Sequence, residues 1–185
     1  MGSVLTALGR DIPVCVQDYP QLTGVYFSAA CFLQMVDAFE QIVMFKHEEA
    51  PGLRKLSAIR AACDGKARRY VSIVCGNGGI HLPQEYLRGA DGAMTGFAYP
   101  DMMVRMHELF MAGKAEEAED LYDKYLPLLR HELQPGIGLA LRKEILRRRG
   151  AIRSNAARAP GPRLDRTDIA ELDRLLARLD RKLAA

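Results

Sequence analysis

The sequence lacks the features that identify membrane-spanning and secreted proteins. No stretch reaches the roughly 18 uninterrupted apolar residues that a membrane-spanning helix needs. The N-terminal segment, MGSVLTALGRD, has no basic lead-in before its apolar part and no small-residue cleavage site, so a secretory signal is not indicated. We therefore expect a cytoplasmic protein that has no membrane partner.

Metal-binding patterns and a strong net charge are also missing. The four cysteines contain no CxxC pair and the four histidines have no ligand spacing, so neither a disulfide framework nor a metal site is indicated. The 26 Lys and Arg residues exceed the 23 Asp and Glu residues by three, too little to indicate nucleic-acid binding. With 49% apolar and 26% charged residues, the 185-residue chain has the composition of one folded globular domain.

Four short apolar runs, each bounded by Gly or Pro, predict strands. They start at residues 12, 41, 70 and 89, and the fourth is the weakest. The first three starts are 29 residues apart, which suits a βαβ crossover of about 30 residues. The runs are not amphipathic, a pattern typical of parallel strands that are buried on both faces. Helices are predicted between them, over residues 28–38, 53–63 and 81–88.

After Gly96 the pattern becomes helical throughout. Helices are predicted from Pro100 to near Gly113, over 116–130 and over 139–148. After a loop over 153–163, the last helix begins with Asp168-x-x-Glu171, which we interpret as a capping box. Four parallel strands followed by helices fit either a small doubly wound sheet or half of an eight-stranded (β/α) barrel, since a whole barrel needs about 250 residues.

Lys46 is the residue that most directly indicates chemistry. It ends an apolar run, so it is expected at the carboxyl end of a buried strand, where barrel active sites lie. Burial disfavours the ammonium form and leaves more of the neutral amine, which can attack a keto group and form a Schiff base. On position alone, the alternative is an ion pair between this lysine and Glu48 or Glu49.

The order of four motifs resembles the dihydrodipicolinate synthase / N-acetylneuraminate lyase family. The motifs are Tyr19-Pro-x-Leu-Thr-Gly24, Lys46-x-Glu48, Gly76-Asn77 and Gly89-Ala-Asp-Gly-x-Met-Thr-Gly96. The helical tail is also similar. The resemblance implies an α/β fold, the C-terminal half of a (β/α)8 TIM barrel followed by a helical extension. Residues 1–112 would supply strands five to eight of the family fold, and residues 113–185 the C-terminal helices.

The same resemblance implies a Schiff-base-forming lyase, aldolase or dehydratase that acts on pyruvate or another 2-keto acid. It assigns the nucleophile to Lys46. It assigns substrate binding to Gly76, Asn77, Met94, Thr95 and Thr23. No metal or organic cofactor is implied, because the iminium itself accepts the electrons. The expected partners are a small 2-keto acid and further copies of the chain in a homo-oligomer, with no nucleic acid and no membrane.

The chain departs from the family pattern at two positions. Where family members carry a proton-relaying tyrosine, this chain has Gln17, which cannot act as an acid or base at neutral pH. Tyr19 is a weak candidate to replace it, and packing is the preferred interpretation of that residue. Leu22 stands where dihydrodipicolinate synthases have a carboxylate-binding arginine, which favours the lyase or sugar-acid dehydratase branch.

The resemblance leaves barrel strands one to four, with the family's carboxylate-binding Thr or Ser pair, outside this chain. We therefore expect a truncated part of a longer enzyme that is inactive alone. The alternative is a non-catalytic pseudoenzyme or binding fragment of the same fold, which the glutamine at position 17 favours.

A basic run over residues 142–163 contains eight Lys and Arg residues against one Glu. Such a run could bind nucleic acid. It lacks the interleaved aromatic residues of a single-strand binder, so a solvated helix face with a subunit-contact loop is the preferred interpretation.

Overall fold

The computed structural model describes residues 2–9 and 11–184 and contains one four-stranded sheet. The strands are β1 (Val14–Asp18), β2 (Ile42–His47), β3 (Ser72–Cys75) and β4 (Gly92–Ala93). The helices are α1 (Gly2–Leu8), α2 (Pro20–Thr23), α3 (Ala29–Ala38), α4 (Leu53–Ala62), α5 (Leu82–Leu87), α6 (Pro100–Met111), α7 (Ala115–Glu132), α8 (Gly138–Arg148) and α9 (Arg166–Ala184). All four predicted strands are present, but β4 has only two residues.

The strands are parallel and follow one another in the order β1-β2-β3-β4. A doubly wound sheet reverses its strand order at a switch point, and this sheet does not. With right-handed crossovers, sequential parallel strands place successive helices on the same face. The strand order therefore decides between the two predicted architectures in favour of the partial barrel.

One face of the sheet is buried and the other is open. On the buried face Phe45 of β2 packs against Phe32 of α3, with ring centroids 4.5 Å apart. On the other face Cys15 and Gln17 of β1 are exposed. The prediction that the strands are buried on both faces is wrong. In a closed barrel, facing strands fill the interior, whereas side chains on this face of β1 stay exposed.

By compactness the chain divides into two units, residues 1–77 with 81–95 and residues 78–80 with 96–185. The first unit contains the sheet. The second contains α6 to α9, and α7 packs against α6, α8 and α9. The functional division at residue 112 stays a prediction.

The N-cap of the last helix is Asp165, three residues before the predicted N-cap at Asp168. Asp165 Oδ1 accepts hydrogen bonds from the backbone N–H groups of Thr167 and Asp168, at 2.7 and 2.9 Å. Asp168 Oδ2 accepts one from the N–H of Asp165 at 2.8 Å. This reciprocal pair is the capping box, so its assignment to Asp168 and Glu171 is wrong. The reason is that an aspartate in the third helical position completes the box as a glutamate would.

Several arginines of the basic run are occupied by ion pairs within the second unit. Arg147 and Arg148 both bind the buried carboxylate of Glu144, at 2.8 and 2.7 Å. The hydrogen bonds from these guanidinium groups lower the pKa of Glu144 to about 2. Arg149 pairs with Asp101 at 2.7 Å. These contacts give part of the basic run a role in packing the helices.

Candidate active site

Lys46 lies at the carboxyl end of a parallel strand, as predicted. It is the penultimate residue of β2, in register with Gln17 of β1 and Val74 of β3. Its neighbours Phe45 and His47 are buried, and because side chains alternate along a strand, Lys46 points to the open face. Its side chain is only 19% exposed, and the residue lies on a strand and not on a helix.

The carboxylate of Glu48 is the centre of the site. Lys46 Nζ lies 3.1 Å from Glu48 Oε1, and the Glu48 side chain is only 7% exposed. Gln17 Nε2 donates a hydrogen bond to the same oxygen. The backbone N–H of Asn77 donates to Oε2 at 2.8 Å. Three donors from three different segments therefore surround one buried carboxylate.

The loop after β3 is shaped around this carboxylate. A Cβ atom on Gly76 would lie 2.3 Å from Cδ of Glu48, so only glycine leaves room for the side chain. The Gly76 N–H donates to the carbonyl of His47 at 2.8 Å and extends the pairing of β2 with β3. Asn77 has a φ of 46°, in the left-handed region that asparagine tolerates. The structure thus brings four predicted residues, Gln17, Lys46, Gly76 and Asn77, around one side chain.

The other predicted residues make local contacts. The exposed Thr23 donates its hydroxyl hydrogen to the carbonyl of Tyr19 at 3.0 Å, within the short helix α2. Tyr19 directly precedes that helix, outside β1. The N–H of Met94 donates to the carbonyl of Cys75 at 2.8 Å and prolongs the pairing of β3 with β4. Thr95 follows it and is half-buried.

Glu48 is the residue whose importance the sequence analysis missed. The sequence identifies it as part of the Lys46-x-Glu48 motif and as a possible ion-pair partner of Lys46, without a role in the chemistry, and the structure does contain that ion pair. The signal was nevertheless present, because residues two apart in an extended segment face the same side. Lys46-x-Glu48 at the end of a strand places an amine beside a carboxylate. The neighbouring Glu49 binds Lys55 instead, at 2.8 Å.

His47 faces away from the site. Its Nδ1 lies 2.7 Å from Glu85 Oε1, and both side chains are buried on the helix-covered side of the sheet. The pKa of the Cys75 thiol on the same side is raised, mainly by burial and further by Glu85. His47 therefore anchors the end of β2 to α5 rather than lining the site.

A lysine from α4 joins the ends of the first two strands. Lys55 Nζ lies 2.7 Å from Asp18 Oδ2 and 2.8 Å from Glu49 Oε2. It also lies 4.2 Å from the ring centroid of Phe27. Burial raises the pKa of Asp18, which Lys55 partly opposes. This buried pair supports the strand ends that carry Gln17 and Lys46.

Within residues 2–9 and 11–184, no group of three or more His, Cys, Asp or Glu side chains could bind a metal ion. No helix in that part of the chain is long and apolar enough to cross a membrane.

The fold defines the chain as part of a (β/α)8 barrel protein, with four sequential parallel strands and a lysine at their carboxyl ends. The model of the dihydrodipicolinate synthetase family matches residues 6–179, and the chain belongs to that family. The resemblance drawn from the four motifs is therefore confirmed, and so is the fold of a partial TIM barrel.

The chain is similar to several proteins of known name. It is 34% identical to L-2-keto-3-deoxyarabonate dehydratase of Azospirillum brasilense over 177 residues, covering 91% of this chain and 53% of that protein. The crystal structure of dihydrodipicolinate synthase from Rhodopseudomonas palustris has 43% identity and a TM-score of 0.92, over 96% of this chain and 59% of that one.

YagE, a prophage protein of E. coli K12 solved in complex with pyruvate, matches with 22% identity and a TM-score of 0.77. That match covers 91% of this chain and 56% of YagE, and at this identity it supports the fold alone. The chain therefore spans little more than half the length of these relatives.

Proposed function

We propose that this chain carries the nucleophile of a Schiff-base lyase or dehydratase that acts on pyruvate or another 2-keto acid. The observation that supports the proposal is the position of Lys46 Nζ, at the carboxyl end of β2 and 3.1 Å from Glu48 Oε1. Barrel enzymes place their reacting groups at this end of the parallel strands, so the amine lies where such a group is expected. The alternative is a non-catalytic binding fragment, in which the same contact is only an ion pair.

The first step needs a neutral amine. The attack requires that a proton has left Nζ, and Glu48 Oε1, 3.1 Å away, is positioned to accept it. The nitrogen lone pair then attacks the keto carbon. A second proton moves from the nitrogen to the keto oxygen, and Glu48 returns its proton to the same oxygen, which leaves as water. The products are a carbon–nitrogen double bond between Lys46 and the substrate and a Glu48 carboxylate that is free to accept a proton again.

The second step removes a proton from the carbon next to the iminium. The electron pair of the broken C–H bond moves into the iminium and forms an enamine, so no metal or organic cofactor is required. Gln17 cannot accept this proton. Glu48 can, because its carboxylate is ionisable and lies beside the nitrogen. In a dehydratase the enamine electrons then expel a hydroxyl group from the next carbon, as water after protonation.

One position and one relative favour the dehydratase branch. Leu22, where a dihydrodipicolinate synthase would have arginine, is 77% exposed and cannot bind a carboxylate. The Azospirillum relative is named as a dehydratase of a 2-keto-3-deoxy sugar acid. We propose that Gly76 and Asn77 contact the keto acid beside Lys46. Thr23, Met94 and Thr95 are the other proposed substrate-binding residues. We also propose that the enzyme is a homo-oligomer.

Borohydride trapping tests the proposal. The chain is incubated with pyruvate, reduced with borohydride, digested and mapped by mass spectrometry. Reduction converts the iminium to a stable amine, so we expect one reduced pyruvate on Lys46. Lys46→Arg keeps a cation beside Glu48 and should abolish the adduct.

The exposed Lys66 supplies the matched control, because Lys66→Arg should trap as the unaltered chain does. A keto acid that binds without forming any adduct would support the binding fragment. Adducts spread equally over the exposed lysines would also contradict the proposal.

A further inference from the structure

We propose that Gln17 is a positioning residue that keeps the Glu48 carboxylate in place after the Lys46 amine has reacted. The inference depends on the proposed function, since it concerns the proton-transfer step at the same site. Gln17 lies directly opposite Lys46 in the register of β1 and β2. Its amide nitrogen donates to Glu48 Oε1, the same oxygen that contacts Lys46 Nζ.

The chemistry of the amine makes a second donor necessary. A lysine ammonium has three N–H groups. Once the nitrogen forms a double bond to the substrate, only one N–H remains, and its direction is set by the plane of the iminium. The lysine then holds the carboxylate less firmly, at the moment when a proton has to be removed beside it. Asn77 N–H stays bonded to Oε2 at 2.8 Å, and Gln17 stays bonded to Oε1.

An amide is suited to this task because it has no titratable proton. It donates to the carboxylate without competing with it as an acid or base. The two remaining donors come from β1 and from the loop after β3, so they fix both oxygens from opposite sides. Gln17 thus orients the base, whereas the resemblance assigns proton relay to the tyrosine at that position.

Two readouts separate positioning from overall structure. Borohydride trapping with pyruvate measures formation of the carbon–nitrogen bond. Exchange of the pyruvate methyl hydrogens for deuterium in heavy water measures removal of the proton. Gln17→Leu removes the donor, and we expect trapping within about twofold of the unaltered chain but exchange slowed by about 10- to 100-fold, the cost typical of a misplaced reacting group.

Glu48→Gln removes the base and should slow exchange at least as much, while trapping measured to completion persists. Gln21→Leu is the matched control, since Gln21 is an exposed glutamine whose amide donates to the carbonyl of Ala50. It should change neither readout. Circular dichroism of each variant checks that the fold is retained.

Each other outcome counts against the inference. If Gln17→Leu lowers trapping and exchange in parallel, Gln17 acts only on the fold, and if it changes neither, it does not orient Glu48. Trapping without exchange in the unaltered chain would leave the Schiff base intact but exclude Glu48 as the base. Absence of any adduct on Lys46 would overturn the proposed function together with this inference.

Discussion

At the scale of single residues, Gly76 and Glu48 form a matched pair. The main chain of the loop after β3 passes so close to the carboxylate that a Cβ atom on Gly76 would lie within 2.4 Å of three Glu48 atoms. Those atoms are at the end of the side chain, so the carboxylate would move rather than the strand. The φ of Gly76 is not in the left-handed region, so the backbone conformation does not require a glycine at this position. The close approach of the Glu48 side chain does.

Gly76→Ala is accordingly expected to displace the base. Deuterium exchange of pyruvate should fall by about 100-fold, since small misplacements of a reacting group have effects of this size. Trapping at Lys46 should fall less. Gly92→Ala is the control, because the nearest atom to its added Cβ would be 4.0 Å away. Equal exchange rates in the two variants would show that Glu48 is not constrained by Gly76.

The buried pair of Asp18 and Lys55 concerns stability instead of chemistry. The Asp18 side chain is fully buried, and Lys55 Nζ lies 2.7 Å from its Oδ2. Lys55→Met would leave a buried carboxylate without its cation, which typically destabilises a protein by about 3–5 kcal/mol. We expect a loss of this order in urea unfolding at neutral pH. Lys66→Met, at an exposed lysine, should change the free energy of unfolding by less than about 0.5 kcal/mol.

The same variant should have a characteristic pH dependence. Burial raises the pKa of Asp18 above its ordinary value, so the folded state binds a proton more tightly than the unfolded chain. The destabilisation of Lys55→Met should therefore shrink as the pH falls from neutral towards the ordinary aspartate range and grow as the pH rises. Adding Asp18→Asn should remove most of that slope. A pH-independent loss would mean that packing of the lysine stem, not charge, accounts for it.

At the scale of secondary-structure elements, α9 depends on its first turn. Asp165 accepts two backbone hydrogen bonds there, and Asp168 returns one. Asp165→Ala should lower the free energy of unfolding by about 1 kcal/mol, the usual cost of losing an N-cap. Thermal and urea unfolding of the variant measure this change.

Glu171→Ala distinguishes the observed capping box from the one predicted from sequence. Glu171 is exposed and lies one turn inside the helix. Its substitution should alter stability by less than about 0.5 kcal/mol. A larger loss for Glu171→Ala than for Asp165→Ala would place the functional cap at the later position.

At the scale of the whole molecule, the open face of the sheet is expected to limit the proposed reaction. Gln17 and Cys15 are exposed beside Lys46 on this face, and Met94 is 44% exposed. Water therefore reaches the site, whereas the proposed iminium and enamine would need a dry pocket. We expect the 185-residue chain to form the trapped adduct but to turn over a 2-keto-3-deoxy sugar acid at least about 100-fold below the median enzyme rate of about 10 per second.

Product formation by this chain, followed by chromatography, measures that turnover, with Lys46→Arg as the background. Turnover in the ordinary enzyme range would show that the open face does not matter. Adduct formation without turnover would agree with the expectation that the chain is inactive alone.

The amino-acid sequence by itself determined the local elements and the nucleophile candidate. Glycine and proline end segments through backbone sterics, and apolar periodicity distinguishes helix from strand. The starts of β2 and β3 and both ends of α6 and α8 were therefore predicted to within two residues. The position of Lys46 at a strand end follows from the same local signals. Family motifs then determined the partial barrel, which the family match confirms.

Only the tertiary structure decided what surrounds Lys46. Glu48 receives donors from residues 31 positions before it and 29 positions after it, and those meetings depend on strand register and on the loop after β3. The open face and the observed capping box were likewise not readable from local pattern. Local propensity acts over a few residues, whereas hydrogen-bond partners and burial are set by segments that are distant in the chain and adjacent only after folding.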